Sequence, residues 1–317
     1  MHQFFKKVDT FPLNTNAEIA PVKSFYHDFK QITKAGLSVS VVFSSIAGYF
    51  LGILDFASLD WTILFMLAIG GYCMVGASNT FNQIIEKDLD LLMDRTKNRP
   101  IAAGRISVNK AFIIASILTL LGLVILYNIN PKTAMFGAIS IFLYTSVYTP
   151  LKTVTPLSVF VGAIPGAIPF MLGWVAATDD FSLEAGTLFM IQFLWQFPHF
   201  WAIGWFLFDD YKKAGFFMLP TGKKDQATAL QIILYTLWLI VASILPAIFP
   251  TIGVIGSRLY LTPIAAVVVF LLGIWMLIYT FKLYKNRDSK SARSLMLVSV
   301  AYITLLQLVY IADKFLR

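Results

Sequence analysis

Apolar residues in this chain come in long stretches, and polar residues gather in the short segments between them. Nine such stretches stand out, at residues 35–54, 61–86, 108–128, 132–150, 157–177, 185–208, 229–249, 259–281 and 294–313. Each is about 20 residues long, enough for a helix to cross roughly 30 Å of hydrocarbon. Lipid offers no water to backbone N–H and C=O groups, so a spanning segment closes its own hydrogen bonds as a helix. The pattern predicts an all-α integral membrane fold. Its nine transmembrane helices occupy residues 35–317, bundled around a central cavity that opens near the cytoplasmic face, and follow a cytosolic tail of residues 1–34. The divisions at Asn130-Pro131 and Thr155-Pro156 rest on short turns.

Composition agrees with that pattern. Of 317 residues 58% are hydrophobic and 13% charged, and the mean hydropathy is +0.73. That balance excludes an ordinary soluble domain. The single cysteine, Cys73, lies in an apolar stretch, so there is no disulfide framework. The first 35 residues contain no arginine and include Asp9, Glu18 and Asp28, which argues against a mitochondrial presequence. The net charge of +8 would suit nucleic acid, but its distribution points elsewhere. With the N-terminus in the cytoplasm, 21 lysines and arginines fall inside and four, Lys132, Arg258, Lys314 and Arg317, outside. This is the positive-inside asymmetry of a membrane protein. It places the C-terminus on the outer side of a bacterial cytoplasmic (inner) membrane and gives no reason to invoke nucleic acid. The pairs Gly48/Gly52 and Gly162/Gly166, with Pro165 and Pro169, read as close helix packing with tolerated kinks. The other reading is an irregular helix lining an internal cavity.

Candidate chemistry gathers where the second stretch ends. Asn82, Glu86, Asp90 and Asp94 recur every four residues, so on a continuous helix they form one slowly winding stripe, while Asp88 falls on another face. Like charges at that spacing destabilise a helix unless a cation lies between them. Mg²⁺ suits such a site, because it takes hard oxygen ligands, commonly one or two carboxylates plus phosphate oxygens. Arg95, Lys97, Arg99 and Arg105 follow at once and supply charge matched to phosphate. The competing reading is a solvated helix end whose acids pair with nearby lysines and arginines. A second polar station follows the sixth stretch, with Trp195-Gln196-Phe-Pro198-His199 and then Asp209-Asp210-Tyr211-Lys212-Lys213. His199 is the one histidine outside the tail. Two acidic stations on the cytoplasmic side point to one shared diphosphate site, where two metals would neutralise a departing group.

These residues resemble the UbiA superfamily of membrane prenyltransferases. Its first motif, Asn-x-x-x-Asp-x-x-x-Asp at the end of the second of nine helices, is matched by Asn82, Glu86, Asp90 and Asp94, with Glu86 in place of the first Asp. Within the superfamily the chain is similar to the branch that farnesylates heme. That similarity lies in Asp94-Arg-Thr96-Lys-Asn98-Arg99-Pro100, Tyr148-Thr149-Pro-Leu-Lys152, Gly162-Ala-Ile-Pro165-Gly166, Trp195-Gln196-x-Pro198-His199 and Asp210-Tyr211-x-x-Ala214-Gly215-x-x-Met218-Leu219-Pro220. It covers about residues 35–315. Ala214 stands where quinone-type relatives carry a later Asp, and Thr153 where an Arg commonly follows the lysine.

The resemblance implies that farnesyl diphosphate, heme b and water give heme O and diphosphate, with heme b as substrate and Mg²⁺ as cofactor. It further implies Glu86, Asp90, Asp94 and Asp210 as metal-diphosphate ligands with Asn82, and Lys152, Arg95, Arg99 and Lys213 on the leaving group. Arg105, Tyr148 and Tyr211 join the substrate-binding set, and His199 is the candidate contact with heme. Membrane lipid and a heme A synthase are the expected partners. Two alternatives stay open at this point: a prenyltransferase acting on an aromatic quinone precursor, and a cation transporter using the same acids.

Overall fold

The computed structural model describes residues 24–253 and 256–317, and it is helical throughout those residues. The helices are α1 Phe25–Ile32, α2 Ala35–Gly52, α3 Trp61–Ile85, α4 Lys87–Asp90, α5 Val108–Tyr127, α6 Pro131–Phe142, α7 Thr149–Leu151, α8 Ser158–Thr178, α9 Leu183–Phe206, α10 Phe208–Lys213, α11 Gln226–Ile244, α12 Pro263–Asn286 and α13 Ser289–Leu316. A wide π-helical turn, Leu143–Tyr148, joins α6 to α7.

Local chemistry sets many of the starts. Asp60, Ser107, Asn130, Asp225, Thr262 and Asp288 each precede a long helix and accept a hydrogen bond from a backbone N–H of its first turn. That satisfies donors which would otherwise be orphaned at a membrane interface. Pro131 and Pro263 stand just after their caps, where the missing N–H removes nothing.

Among the described residues, eight helices are long and apolar enough to cross a membrane. They correspond to the first five and last three of the predicted stretches. The remaining stretch forms α9, a 24-residue helix that carries Gln192, Gln196, Pro198 and His199 among its aromatics. Those polar residues dilute its hydropathy without shortening it.

The bundle is organised around α8. Of its most apolar window 78% is buried, against 22% for α5, which turns its leucines and isoleucines to lipid. The first glycine pair explains how α8 comes so close to α2. A Cβ on Gly48 would lie 2.0 Å from the Phe170 carbonyl oxygen, and one on Gly173 would lie 1.8 Å from that of Ser45. Neither contact leaves room for any side chain. Lipid provides no hydrophobic drive between helices, so this backbone approach is where dispersion packing is gained. Pro165 and Pro169 sit inside α8 without ending it.

Of the tail, residues 1–23 lie outside the described residues. Residues 25–32 form α1, an amphipathic helix that docks beneath α3 and the loop before α5. Its Ile32 is fully buried with Ile101, Ile106 and Ala111.

Candidate active site

The acidic stripe does not continue as one helix. α3 ends at Ile85, Glu86 caps it with φ −93° and ψ 8°, and α4 stops at Asp90. The winding stripe expected from Asn82 to Asp94 therefore holds only from Asn82 to Asp90, and Asp94 stands on a turn beyond it. The acids are not gathered around one shared cation. Each acid turns instead to a cation of its own.

Glu86 is 4% exposed and accepts a hydrogen bond from Lys152 Nζ at 2.8 Å. Asp90 is fully buried, and Arg99 Nη1 lies 2.7 Å from both of its carboxylate oxygens. The exposed Asp94 receives Lys97 Nζ at 2.8 Å and also pairs with Lys213. Asp88, placed on another face by its spacing, is exposed and meets only Lys87.

Asp210 joins the two stations. Its carboxylate accepts the backbone N–H of Asp94 at 2.8 Å and that of Arg95 at 3.2 Å, and Lys213 Nζ lies 3.5 Å away. The loop after α4 and helix α10 are thereby pinned together, as a shared site requires. Asp209 faces away and pairs with Lys224. Asn82 donates from Nδ2 to Thr149 Oγ1 at 3.2 Å, which ties the end of α3 to the segment that carries Lys152. Lys152 Nζ lies 4.6 Å from the centre of the Tyr148 ring and 5.5 Å from that of Phe216. Arg95 lies 6.0 Å from the ring of Tyr211.

The charge states follow from these contacts. Lys213 and Lys97 hold the Asp94 carboxyl down at about 2. Burial pushes the Asp90 carboxyl above its usual value, against the pull of Arg99. Burial works to lower Lys152, but the Glu86 carboxylate outweighs it and the ammonium is held above its ordinary value.

Two residues of the expected set lie apart from the acidic stations. Arg105 spends its guanidinium on Asp28 Oδ1 at 3.0 Å, Gln31 Oε1 at 2.9 Å and the Asn98 carbonyl at 3.1 Å. It anchors α1 and is not brought to the acids. His199 stacks on Trp195 with centroids 4.5 Å apart, and its Nδ1 lies 2.8 Å from Ser299 Oγ. Trp195 Nε1 donates to the Ser299 carbonyl at 2.7 Å. His199 is thus fixed against α13 inside the bundle, some distance along α9 from Asp210.

One group escaped the sequence reading. Lys34 entered it only as a tail charge, yet it stands at the N-cap of α2 in the left-handed region, φ 46° and ψ 55°. Burial first, and then the nearby charges of Arg99 and Lys152, lower its pKa to about 7. A lysine opening the first span was the available signal. Also unforeseen is a neutral polar track in the membrane interior. Gln307 Nε2 bonds Ser44 Oγ at 3.1 Å and Gln192 Oε1 at 3.4 Å.

In this conformation no three metal-ligating side chains gather among the described residues. The donor set is nonetheless all oxygen and all hard, which fits Mg²⁺ held by one or two carboxylates and completed by phosphate oxygens. A dense ring of cations around those carboxylates fits the anionic half of such a complex.

This arrangement has known counterparts. The chain matches the UbiA prenyltransferase family over residues 41–306. It belongs to that family. It is 73% identical over 299 residues to the protoheme IX farnesyltransferase of Flavobacterium psychrophilum, covering 94% of this chain and 98% of that one. The protoheme IX farnesyltransferase of Flavobacterium johnsoniae is 67% identical over 305 residues, covering 96% and 100%. The fold is shared with a solved digeranylgeranylglyceryl phosphate synthase, with a TM-score of 0.74 at 17% identity over 92% of this chain and 99% of that one. A UbiA homologue from Archaeoglobus fulgidus, solved with GPP and Mg²⁺, gives a TM-score of 0.63 at 16% identity, covering 90% and 99%.

Proposed function

We propose that this membrane prenyltransferase transfers the farnesyl group of farnesyl diphosphate to a vinyl group of heme b, giving heme O and diphosphate. The observation that carries this is the 73% identity over nearly the whole length of a protoheme IX farnesyltransferase. The geometry supports it from below. Buried carboxylates, each within reach of a lysine or arginine, line the mouth of an apolar bundle, where a charged headgroup would dock with its hydrocarbon in lipid.

Glu86, Asp90, Asp94 and Asp210 would hold Mg²⁺, which when bound neutralises the diphosphate as it leaves. Asn82 holds the Lys152 segment in place. Lys152, Arg95, Arg99 and Lys213 stabilise the negative charge that develops on the leaving oxygens, and such preorganised charge is the largest expected catalytic term. Tyr148, beside Lys152, presents a ring face to the allylic cation, and Tyr211 packs under Arg95. Arg105 acts on substrate through the loop it holds, and His199 borders the heme through its ring. A cation transporter would need ionisable ligands along several spans, whereas the interior track here is made of neutral amides and hydroxyls. Supporting the orientation is the charge asymmetry: nine spans with α9 among them, N-terminus cytoplasmic and C-terminus outside, in a bacterial inner membrane, residues 35–317 forming one domain. The product would pass to a heme A synthase.

The test incubates purified protein with heme b, farnesyl diphosphate and Mg²⁺ and looks for heme O by mass. Wild-type protein that makes none, or that prenylates 4-hydroxybenzoate instead, overturns the reading. So does full activity in Asp90→Ala.

A further inference from the structure

The second glycine pair leads to a residue that the site above does not use. A Cβ on Gly162 would lie 2.6 Å from the Tyr148 ring, and one on Gly166 would lie 2.7 Å from the Gln196 amide. The two glycines are one turn apart, about 6 Å along α8. Their bare backbone is the floor on which Tyr148, from the π-helical turn, and Gln196, from α9, both lie. Tyr148 borders Lys152, and Lys152 holds Glu86. Gln196 is therefore one helical turn inward from the charged mouth, at the depth where a carbon chain attached to a diphosphate begins.

Gln196 is 4% exposed, yet its amide makes no hydrogen bond to any described residue. The contrast with its neighbours is sharp. Gln192 and Gln307, at similar depth, bond each other, and Gln307 bonds Ser44. The partnerless indole Nε1 atoms of Trp174, Trp201 and Trp205 are sealed by protein, whereas the Gln196 amide is not among those sealed atoms. A buried amide left open costs stability unless something occupies it. A water is the smallest occupant with the right chemistry.

We propose that Gln196 holds the water that becomes the hydroxyl of the product. The inference rests on the heme farnesylation reading. In that reaction the vinyl π pair forms a bond to C1 of the farnesyl group as the C1–O bond to diphosphate breaks. A cation is left on the vinyl carbon attached to the porphyrin. The oxygen of the held water bonds to that carbon, and the water's proton passes to the released diphosphate. Without a held water the same cation loses a proton from the neighbouring carbon and becomes an alkene, lighter than heme O by one water. Gln196 is a positioning residue, acting through the water it orients.

Mass spectrometry of the heme products from wild type and Gln196→Met tests this, run in water labelled with heavy oxygen and accompanied by thermal unfolding. Wild type is expected to give the hydroxylated product carrying one labelled oxygen. The Met variant is expected to consume farnesyl diphosphate with the alkene fraction raised about tenfold, the effect of one lost water-holding hydrogen bond. Its thermal midpoint should equal or exceed that of wild type, because no protein hydrogen bond is removed. An unchanged product ratio overturns the inference. So does a folded variant that consumes no farnesyl diphosphate, since the amide is then needed before the cation exists. A lowered midpoint or failure to assemble overturns it as well, by making the amide structural. Wild type that makes no farnesylated heme overturns the underlying reading instead.

Discussion

Glu86 and Lys152 form a nearly dry ion pair, and its two halves should be far more costly to lose singly than together. Their charged atoms are 2.8 Å apart and the side chains are 5% and 10% exposed. At that separation the attraction is about 6 kcal/mol for an effective dielectric of 20. Desolvation of two ions takes back several kcal/mol each, so the intact pair is close to balanced. Glu86→Gln leaves a buried ammonium without its carboxylate, and Lys152→Met leaves a buried carboxylate without its ammonium. Each is expected to destabilise by about 3–5 kcal/mol. For a chain of this size that lowers the thermal midpoint by roughly 6–10 °C. The double variant replaces the pair with neutral groups of similar volume and should be no less stable than either single. Unfolding in detergent, followed by intrinsic tryptophan fluorescence, measures all three. Activity should be lost in all of them, because both groups serve the diphosphate. The reasoning is refuted if the double loses as much as the two singles added together, or if Lys152→Met alone unfolds at the wild-type temperature.

Three further outcomes follow from the same geometry. Lys34 has a folded pKa lowered to about 7 from an ordinary 10.5, so the unfolded chain binds more protons between those values and stability rises with pH across that window. A bound polyanion favours the charged ammonium, so diphosphate binding near pH 8 should take up a proton that Lys34→Met does not, measured by calorimetry in two buffers of different ionisation heat. Arg105→Met should free α1 from the loop before α5, removing hydrogen bonds to a charged donor worth about 1.5–3 kcal/mol each. Faster backbone exchange over residues 25–32 checks it, and unchanged exchange there would contradict the anchoring role. Gly173→Ala places a methyl 1.8 Å from a carbonyl oxygen of α2 and should cost more than the roughly 1–3 kcal/mol of ordinary overpacking, read as lost folded yield beside Gly186→Ala, which meets nothing.

Much of the architecture was legible because lipid makes a long apolar run mean one thing. Each predicted stretch corresponds to a helix, and the softly divided turns at Asn130-Pro131 and Thr155-Pro156 are real breaks. The glycine pairs were legible as close packing, though which backbone each admits was not. At the site, spacing separated Asp88 from Asn82, Glu86 and Asp90, but it carried a helix through Asp94 that in fact ends at Asp90. Spacing describes one helix, whereas the partners of these acids, Lys152, Arg99 and Lys213, arrive from elsewhere in the chain. The same limit hid Lys34, itself in the left-handed region, and the Asp210 carboxylate, which accepts from backbone N–H groups with no sequence signature. Gln196 was visible only as part of a motif, since whether a buried amide finds a partner is a property of packing.

The loop after α4 and helix α10 are joined by contacts of two kinds. Asp210 grips two backbone N–H groups from a half-buried position, while Asp94, Lys97 and Lys213 meet in open water, each about half exposed or more. Exposed pairs contribute little and are screened over about 8 Å at physiological salt. The backbone half of this junction is accordingly insensitive to salt and the side-chain half is not. Ionic strength is therefore a dial on how firmly the two acidic stations are joined, acting on their side-chain pairs and sparing the backbone hydrogen bonds.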